Sequence, residues 1–167
     1  MSEQKTLILD KEGIQQKTTR IAYEILENNY DEKELIVIGI QLNGFVFANK
    51  LFERLKEIGE IPVSLHAIEI DKDNPVATKP KYDFNLSDIS MKVVILVDDV
   101  GNTGRTLGYA LRLLLMSSPK KIQIAVLVDR KHKSFPICAD YVGLSLSTTL
   151  KEHVSVELSD NPAAYLL

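Results

Sequence analysis

The chain has 167 residues, of which 45% are hydrophobic and 26% charged, and its formal net charge at pH 7 is −3. This length and composition predict a single globular domain over residues 1–167. The one cysteine, Cys138, excludes an internal disulfide, and no apolar run reaches the roughly 18 residues that a membrane-spanning helix requires. A cytoplasmic protein that does not associate with membranes is therefore expected, and its acidic balance gives no general attraction to nucleic acid.

The first part of the chain alternates helical and strand patterns. Asp10 precedes a predicted helix over about 11–29, whose inward face consists of Ile14, Ile21, Ala22 and Ile25. A strand over 35–40 leads to a helix over about 44–58, with an apolar stripe at helical spacing formed by Phe45, Ala48, Leu51, Phe52 and Leu55. A further strand is predicted over 62–70.

The second part begins with a polar segment, 71–90, which contains two prolines and is predicted to be a loop. The patterns that follow predict a strand over 93–97, a helix over 104–116, and strands over 122–128, 139–143 and 153–158. Alternating strands and helices indicate an α/β fold with a mostly parallel, twisted sheet that helices cover on both faces. Ligands of such sheets bind at the carboxyl ends of the strands.

The most informative segment is 93–106, where a run of branched apolar residues ends in two carboxylates, Asp98 and Asp99. Ionised carboxylates only accept hydrogen bonds, so the pair suits the two hydroxyls of a sugar diol or hydrated Mg²⁺. The alternative is that these acids have no function and only expose charge to water at the end of a strand.

A glycine- and hydroxyl-rich loop follows the acids and enters the next predicted helix. The first N–H groups of a helix lack internal partners and carry partial positive charge, so they suit a phosphate. The candidate phosphate-binding residues are Gly101, Asn102, Thr103, Gly104, Arg105 and Thr106. An ordinary turn is the alternative for this loop alone, but an acidic pair followed by such a loop favours a site for a ribose 5-phosphate.

This segment resembles the phosphoribosyl-diphosphate (PRPP) signature of type I phosphoribosyltransferases. The likeness extends over nearly the whole chain and is weakest at about 64–90. One branch is similar in particular, the bifunctional pyrimidine-operon attenuator/uracil phosphoribosyltransferases. The segments that carry this likeness are 38–44, 122–130, 136–143 and 154–158.

The resemblance implies transfer of the 5-phosphoribosyl group of PRPP to a base, a pyrimidine such as uracil, with Mg²⁺ accompanying PRPP at Asp98 and Asp99. It also implies a small hood with a flexible loop and a homo-oligomer, either a dimer or a tetramer. The implied catalytic residues are Asp98, Asp99 and Asn102. The implied diphosphate-binding residues are Gln41, Leu42, Asn43 and Gly44, and the implied base site is Thr149, Leu150 and Lys151.

Two departures from the branch bear on activity. Gln41 and Asn43 stand where the branch has Lys and Arg, so the diphosphate loop lacks two cations. One hypothesis is that Lys72, Lys79 or Lys81 supplies the missing positive charge. The alternative is that these lysines form only a solvated face of the loop. Asn102 stands where purine-using relatives have an Asp, and an amide cannot act as a base, which disfavours a 6-oxopurine.

Three functions remain as alternatives: an active phosphoribosyltransferase, a PRPP- or nucleotide-binding regulator with weak turnover, and an RNA-binding attenuator. RNA is the less favoured partner, because the net charge is acidic and only Arg20 matches the basic face of the branch. Two further basic residues have two interpretations each. Arg130 contacts ligand or forms an internal ion pair with Asp129, and His153 is a catalytic group or an exposed residue at the start of a strand.

Overall fold

A central six-stranded sheet organises the fold in the computed structural model, which describes residues 5–167. The helices and strands, in chain order, are β1 (Thr6–Leu9), α1 (Lys11–Asn28), β2 (Leu35–Ile40), α2 (Asn43–Ile58), β3 (Val63–Glu69), β4 (Lys81–Tyr82), β5 (Val93–Gly101), α3 (Arg105–Leu114), β6 (Lys121–Arg130), β7 (Tyr141–Leu146), β8 (Val154–Glu157) and β9 (Ala163–Leu166). Short 3₁₀ turns cover Leu86–Ile89 and Leu115–Ser117. No helix among the described residues is long and apolar enough to span a membrane.

The strand order in the central sheet is β4-β3-β2-β5-β6-β7. All neighbouring pairs are parallel except β3 and β4, so the carboxyl ends of β2, β5 and β6 meet at one edge. A second sheet, with strand order β1-β9-β8, is antiparallel and joins the two ends of the described chain. The Asn43 side-chain amide at the start of α2 donates to the Val156 carbonyl of β8, which ties this small sheet to the diphosphate-loop segment.

Two apolar cores lie on opposite faces of the central sheet. One core packs α1 and α2 against alternate residues of the strands, including Val37, Ile95 and Leu127. The other packs α3 and the 84–89 segment against the intervening residues, including Ile38, Leu96 and Val126. The predicted α/β fold with helices on both faces is confirmed, and the inward face of α1 is buried as expected.

Several boundaries differ from the sequence-based predictions. Strand β5 continues to Gly101 instead of ending at 97, because its backbone keeps pairing with β6 through Gly101 and Asp129. Strand β6 likewise continues to Arg130. The helix predicted over 104–116 ends at Leu114 and passes into a 3₁₀ turn. The short strands β1, β4 and β9 are not predicted from the sequence.

A glycine pair tests the packing of the sheet. A Cβ added at Gly143 would lie 2.3 Å from the Leu127 carbonyl oxygen, whereas at Gly108 in α3 its nearest neighbour would be the Ile137 side chain at 4.0 Å. We expect Gly143→Ala to lower the free energy of unfolding by about 1–3 kcal/mol through overpacking. Gly108→Ala should raise it by about 0.5–1 kcal/mol, because alanine favours a helix. Urea denaturation measures both, and equal effects of the two substitutions would contradict this packing.

Candidate active site

A cavity of about 350 Å³ lies at the carboxyl ends of β5 and β6. It is the place that a parallel sheet of this kind offers to a ligand. Its walls come from four segments of the chain. The lining residues are Lys72, Asp98, Val100, Asn102, Thr103, Gly104, Arg105, Thr106, Leu107, Arg130 and His153.

The loop between β5 and α3 is held from behind by the segment that follows β6. The Asn102 carbonyl accepts from Lys133 Nζ at 3.0 Å, and the Thr103 carbonyl accepts from the backbone N–H groups of Ser134 and Phe135, each at 3.0 Å. Among the described residues, no acceptor contacts the N–H groups of Gly104, Thr106 or Leu107. The carbonyls of Asn102 and Thr103 are therefore hydrogen-bonded within the protein, whereas the N–H groups of Gly104, Thr106 and Leu107 can donate to a ligand. Free N–H groups at the start of a helix suit a phosphate.

Gly104 gives this loop its shape. Its φ of +83° lies in the left-handed region that side chains rarely adopt, and a Cβ there would lie 3.1 Å from Ile137 Cβ. Glycine meets both requirements, so the chain turns sharply into α3 at this point. The turn presents the hydroxyl-bearing Thr103 and Thr106 and the charged Arg105 at the cavity wall.

Asp98 is the buried acid of the site, with 4% of its surface exposed. Its Oδ1 accepts the Asp99 N–H at 3.0 Å. Burial raises the pKa of the Asp98 carboxyl well above its ordinary value, and the neighbouring Asp99 carboxylate raises it further, whereas Lys72 acts in the opposite direction. A cation or a set of hydroxyl donors in the cavity would favour the ionised form.

Arg130 supplies a buried positive charge on the opposite wall, with 6% of its surface exposed. Its guanidinium donates to the Thr148 hydroxyl, to Asn102 Oδ1 at 3.3 Å and to the Thr149 carbonyl at 2.8 Å. Of the two interpretations drawn from the sequence, lining the site fits the structure. The ion pair at this position is formed instead by Asp129, which contacts Lys133 at 2.6 Å.

The charges that line the cavity favour an anion. Three cationic side chains, Lys72, Arg105 and Arg130, face the space that holds one buried carboxylate, Asp98. Together with the free amide donors of the loop, they suit a ligand that carries phosphate groups and also offers hydroxyls to the acid. A sugar phosphate has this combination.

The predicted diphosphate loop ends at Gly44, which packs against Asp98. A Cβ added at Gly44 would lie 2.6 Å from Asp98 Oδ1, so the start of α2 packs directly against the acid. The peptide bond between Gln41 and Leu42 is cis. Gln41 and Leu42 are exposed, and the Asn43 amide is occupied by Val156, so none of these side chains lines the wall.

The predicted base-site residues lie on the loop between β7 and β8. Thr149 is connected to the cavity through Arg130, whereas Leu150 and Lys151 are exposed and do not line the wall. His153 does line it, and it is exposed and directly precedes β8, which agrees with the interpretation as a residue at the start of a strand; its catalytic role stays a prediction. Sequence reasoning missed Val100 and Leu107, because placing them needed the extended β5 and the true start of α3.

Asp99 and Gly101 flank the wall without lining it. A Cβ at Gly101 would lie 2.8 Å from Asp129 Oδ1, so this glycine allows the loop to approach β6 closely. In the region 5–167, no cluster of three or more His, Cys, Asp or Glu side chains is placed to hold a metal ion. Two adjacent carboxylates fit a hydrated Mg²⁺ that arrives with a phosphate ligand better than a metal caged by the protein.

Comparisons with known proteins agree with this geometry. A phosphoribosyl transferase domain family matches residues 5–161. Proteins named bifunctional protein PyrR are similar: that of Pelotomaculum thermopropionicum is 41% identical over 96% of this chain and 92% of its own length, and that of Staphylococcus epidermidis is 41% identical over 96% and 94%.

Solved structures are similar as well. A hypoxanthine-guanine phosphoribosyltransferase from Bacillus anthracis has a TM-score of 0.72 and 25% identity, over 86% of this chain and 84% of that one. The hypoxanthine phosphoribosyltransferase of Trypanosoma cruzi has a TM-score of 0.75 at 21% identity, over 89% and 84%, which shows a shared fold.

The buried acid predicts an unusual dependence of stability on pH. Because the pKa of Asp98 is raised in the folded state, its ionisation opposes folding, and this cost grows as pH rises above about 4. We expect Asp98→Asn to raise the thermal midpoint near neutral pH and to have little effect in acid, where Asp98 is already protonated.

Asp71 is the matched control, because hydrogen bonds from the Asn74 backbone, the Thr78 hydroxyl and the Asp73 backbone lower the pKa of its carboxylate. Its ionised form favours folding, so Asp71→Asn should lower the midpoint at neutral pH and lose its effect as pH falls. Calorimetric scans across pH distinguish the two. A lower midpoint for Asp98→Asn at neutral pH would contradict the burial of a costly charge.

Proposed function

The chain belongs to the phosphoribosyl transferase domain family, and from this premise we propose that it moves the 5-phosphoribosyl group of PRPP to uracil and releases diphosphate. It is an enzyme of the pentosyltransferase class. The observation that carries the proposal is the cavity at the ends of β5 and β6, where a loop with free amide donors lies beside a buried carboxylate and three cations.

In this proposal the loop Gly101–Thr106 holds the 5-phosphate. Its amides and hydroxyls donate to the phosphate oxygens, and Arg105 adds charge, so the phosphate anchors the ribose in one orientation. Asp98 and Asp99 accept hydrogen bonds from the ribose hydroxyls at the same time. Fixing both ends of the sugar places its anomeric carbon, and such positioning supplies much of the rate enhancement.

Displacement at the anomeric carbon develops positive charge on the ribose and negative charge on the departing diphosphate. In this proposal Asp98 and Asp99 stabilise the positive charge that develops on the sugar. Mg²⁺ bound to PRPP would neutralise charge on the leaving group. The backbone N–H groups at the start of α2, from Leu42 to Gly44, would contact the diphosphate, which needs no cationic side chain at Gln41 or Asn43.

Lys72 is the residue we propose as the compensating cation for that neutral loop. It lines the cavity and lies close enough to Asp98 to influence its pKa. Lys79 and Lys81 lie instead in a separate depression beside Glu69 and Asp71, and Lys81 Nζ is 3.9 Å from Glu69 Oε2. Of the three lysines that the sequence leaves open, Lys72 is therefore the one placed to reach a diphosphate.

Uracil is the proposed acceptor for two reasons. The resemblance extends along nearly the whole chain to the attenuator/uracil phosphoribosyltransferase branch, and the PyrR proteins are about 40% identical to it. The hypoxanthine-using enzymes share the fold, but Asn102 stands where purine-using relatives have an Asp, and here its Oδ1 accepts from Arg130. An amide in that arrangement cannot take a proton from a purine.

The RNA-binding alternative has weaker support. Arg20, which matches the basic face of the branch, donates to the carbonyls of Val142 and Gly143 and contacts Glu24 at 2.6 Å. Its guanidinium is thus already partnered within the chain, and phosphate neutralisation is what RNA affinity mainly requires. We also propose a cytoplasmic homo-oligomer; exposed Leu115 and Met116 at the end of α3 offer apolar surface for assembly.

A panel of bases tests the proposed reaction. With PRPP and Mg²⁺, we expect nucleotide to form with uracil and to form far more slowly with hypoxanthine or guanine, because Asn102 cannot accept their proton. Chromatography of the nucleotide and an assay for released diphosphate measure the reaction. Binding of PRPP without product from any base would favour the regulator, and a purine nucleotide as the main product would contradict the assignment of uracil.

A lysine pair tests the source of positive charge. We expect Lys72→Ala to lower kcat/KM for PRPP by about 10²-fold, which is typical of losing a charged contact to the transition state. Lys79→Ala is the control and should leave this constant unchanged, because Lys79 lies outside the cavity. Equal rates for the two variants would show that both lysines are only part of a solvated loop.

A further inference from the structure

Arg130 is a charged side chain whose burial the enclosing fold only partly compensates. Within residues 5–167 no carboxylate lies within ion-pair distance of its guanidinium, and the acids of the adjoining segments, Asp129 and Glu152, are engaged elsewhere. Asp129 pairs with Lys133 at 2.6 Å, and Glu152 Oε2 accepts the Thr149 N–H at 2.6 Å. Neutral oxygens offset less of the cost of burying a cation than an anion does, so the site favours a ligand that brings negative charge.

The three oxygens that Arg130 contacts belong to two different loops. Asn102 lies on the phosphate loop between β5 and α3, whereas Thr148 and Thr149 lie on the loop between β7 and β8. The strand register explains this reach, because β6 pairs with β5 on one side and with β7 on the other, and Arg130 is its last residue. A planar guanidinium with donors on both edges can connect two such loops at once.

Each loop has further ties that make Arg130 the connection between them. The phosphate loop is held by Lys133 and by the 134–135 backbone. The other loop is closed on itself, because Glu152 accepts from the Thr149 N–H; this hydrogen bond lowers the pKa of the Glu152 carboxyl, and Arg130 lowers it further. Arg130 is therefore a side chain whose hydrogen bonds join the two loops directly.

We propose that Arg130 is a positioning residue that couples the phosphate loop to the 148–152 loop, so that a sugar phosphate on one loop raises the affinity of the other for a nucleobase. The proposal rests on the proposed function. It goes beyond it by assigning communication between the two halves of the site to one side chain. A phosphate near Asn102 strengthens the field on the guanidinium and fixes its orientation, and this holds Thr148 and Thr149 in place for the base.

The coupling is measured as the Kd of uracil without ribose 5-phosphate divided by its Kd with ribose 5-phosphate. A residue with a purely structural role would change both Kd values and leave their ratio unchanged. Ribose 5-phosphate and uracil serve as probes, since ribose 5-phosphate carries no diphosphate and does not react. Calorimetry gives the Kd of uracil with and without saturating ribose 5-phosphate. We expect the wild-type protein to bind uracil at least fivefold more tightly when ribose 5-phosphate is present, within the usual range of about 5–150-fold for coupled sites.

Two variants locate the coupling. Arg130→Lys keeps the charge but loses the planar fork, so the ratio should fall towards one. Thr148→Val removes one oxygen on the far loop with little change in shape; it should reduce the ratio and leave the Kd of ribose 5-phosphate alone unchanged. Lys133→Gln is the control, since Lys133 holds only the phosphate loop. It should weaken ribose 5-phosphate binding and keep the ratio near the wild-type value.

Thermal midpoints of all variants show which of them fold. If Arg130→Lys does not fold, Thr148→Val alone decides the test. A wild-type ratio of one, or a ratio that persists in Thr148→Val, would overturn the coupling while leaving the proposed function in place. A wild-type protein that binds ribose 5-phosphate but no uracil would overturn the proposed acceptor and the coupling with it. A coupling that is strong in the wild type and lost only when Arg130 or Thr148 is changed would establish it.

Discussion

Parallel pairing of β5 with β2 and β6 is the constraint on which the site depends. It keeps β5 extended as far as Gly101, so that Asp98 is held inside the sheet. The same pairing carries β6 to Arg130, whose neighbouring strands are β5, which leads into the loop before α3, and β7, which leads into the 148–152 loop. Because hydrogen-bonded strands cannot shift by one residue without turning every side chain over, the positions of the acid and the guanidinium are fixed relative to each other.

Opposite charges share this cavity without pairing directly. Asp98 is surrounded by the start of α2 and by Asp99, and Arg130 is satisfied by neutral oxygens. Burying a carboxylate and a guanidinium without an ion pair lowers the stability of the folded protein. Such arrangements occur at functional sites, where a bound ligand stabilises the buried charges. A sugar phosphate offers both halves of the compensation, with hydroxyls for the acid and oxyanions for the cations.

The diphosphate loop shows how the fold accommodates a change in sequence. Gln41 and Asn43 remove two cations from the place where the family branch has them, yet the backbone at the start of α2 still packs against Asp98 through Gly44. Asn43 acquires another task, because its amide fastens α2 to β8. Positive charge beside the acid comes from the 71–80 segment, where Lys72 lines the cavity and acts to lower the pKa of Asp98.

The sequence by itself determined the α/β fold, the long helices and the glycine- and hydroxyl-rich loop between β5 and α3, because each of these depends on local patterns: apolar periodicity, a glycine that permits a positive φ, and hydroxyls at fixed spacing. It also distinguished Asp98 and Arg130 as residues of interest, although for Arg130 it left ligand contact and an ion pair as equal alternatives. Only the tertiary structure showed that Arg130 lines the cavity while Asp129 pairs with Lys133, that Lys72 rather than Lys79 or Lys81 lines the same cavity, and that His153 does so too. These outcomes depend on contacts of Arg130 with residues 18 to 28 positions away and on a cavity that brings Lys72 and His153 together, and both arise from strand order and loop closure, which no local pattern of residues records.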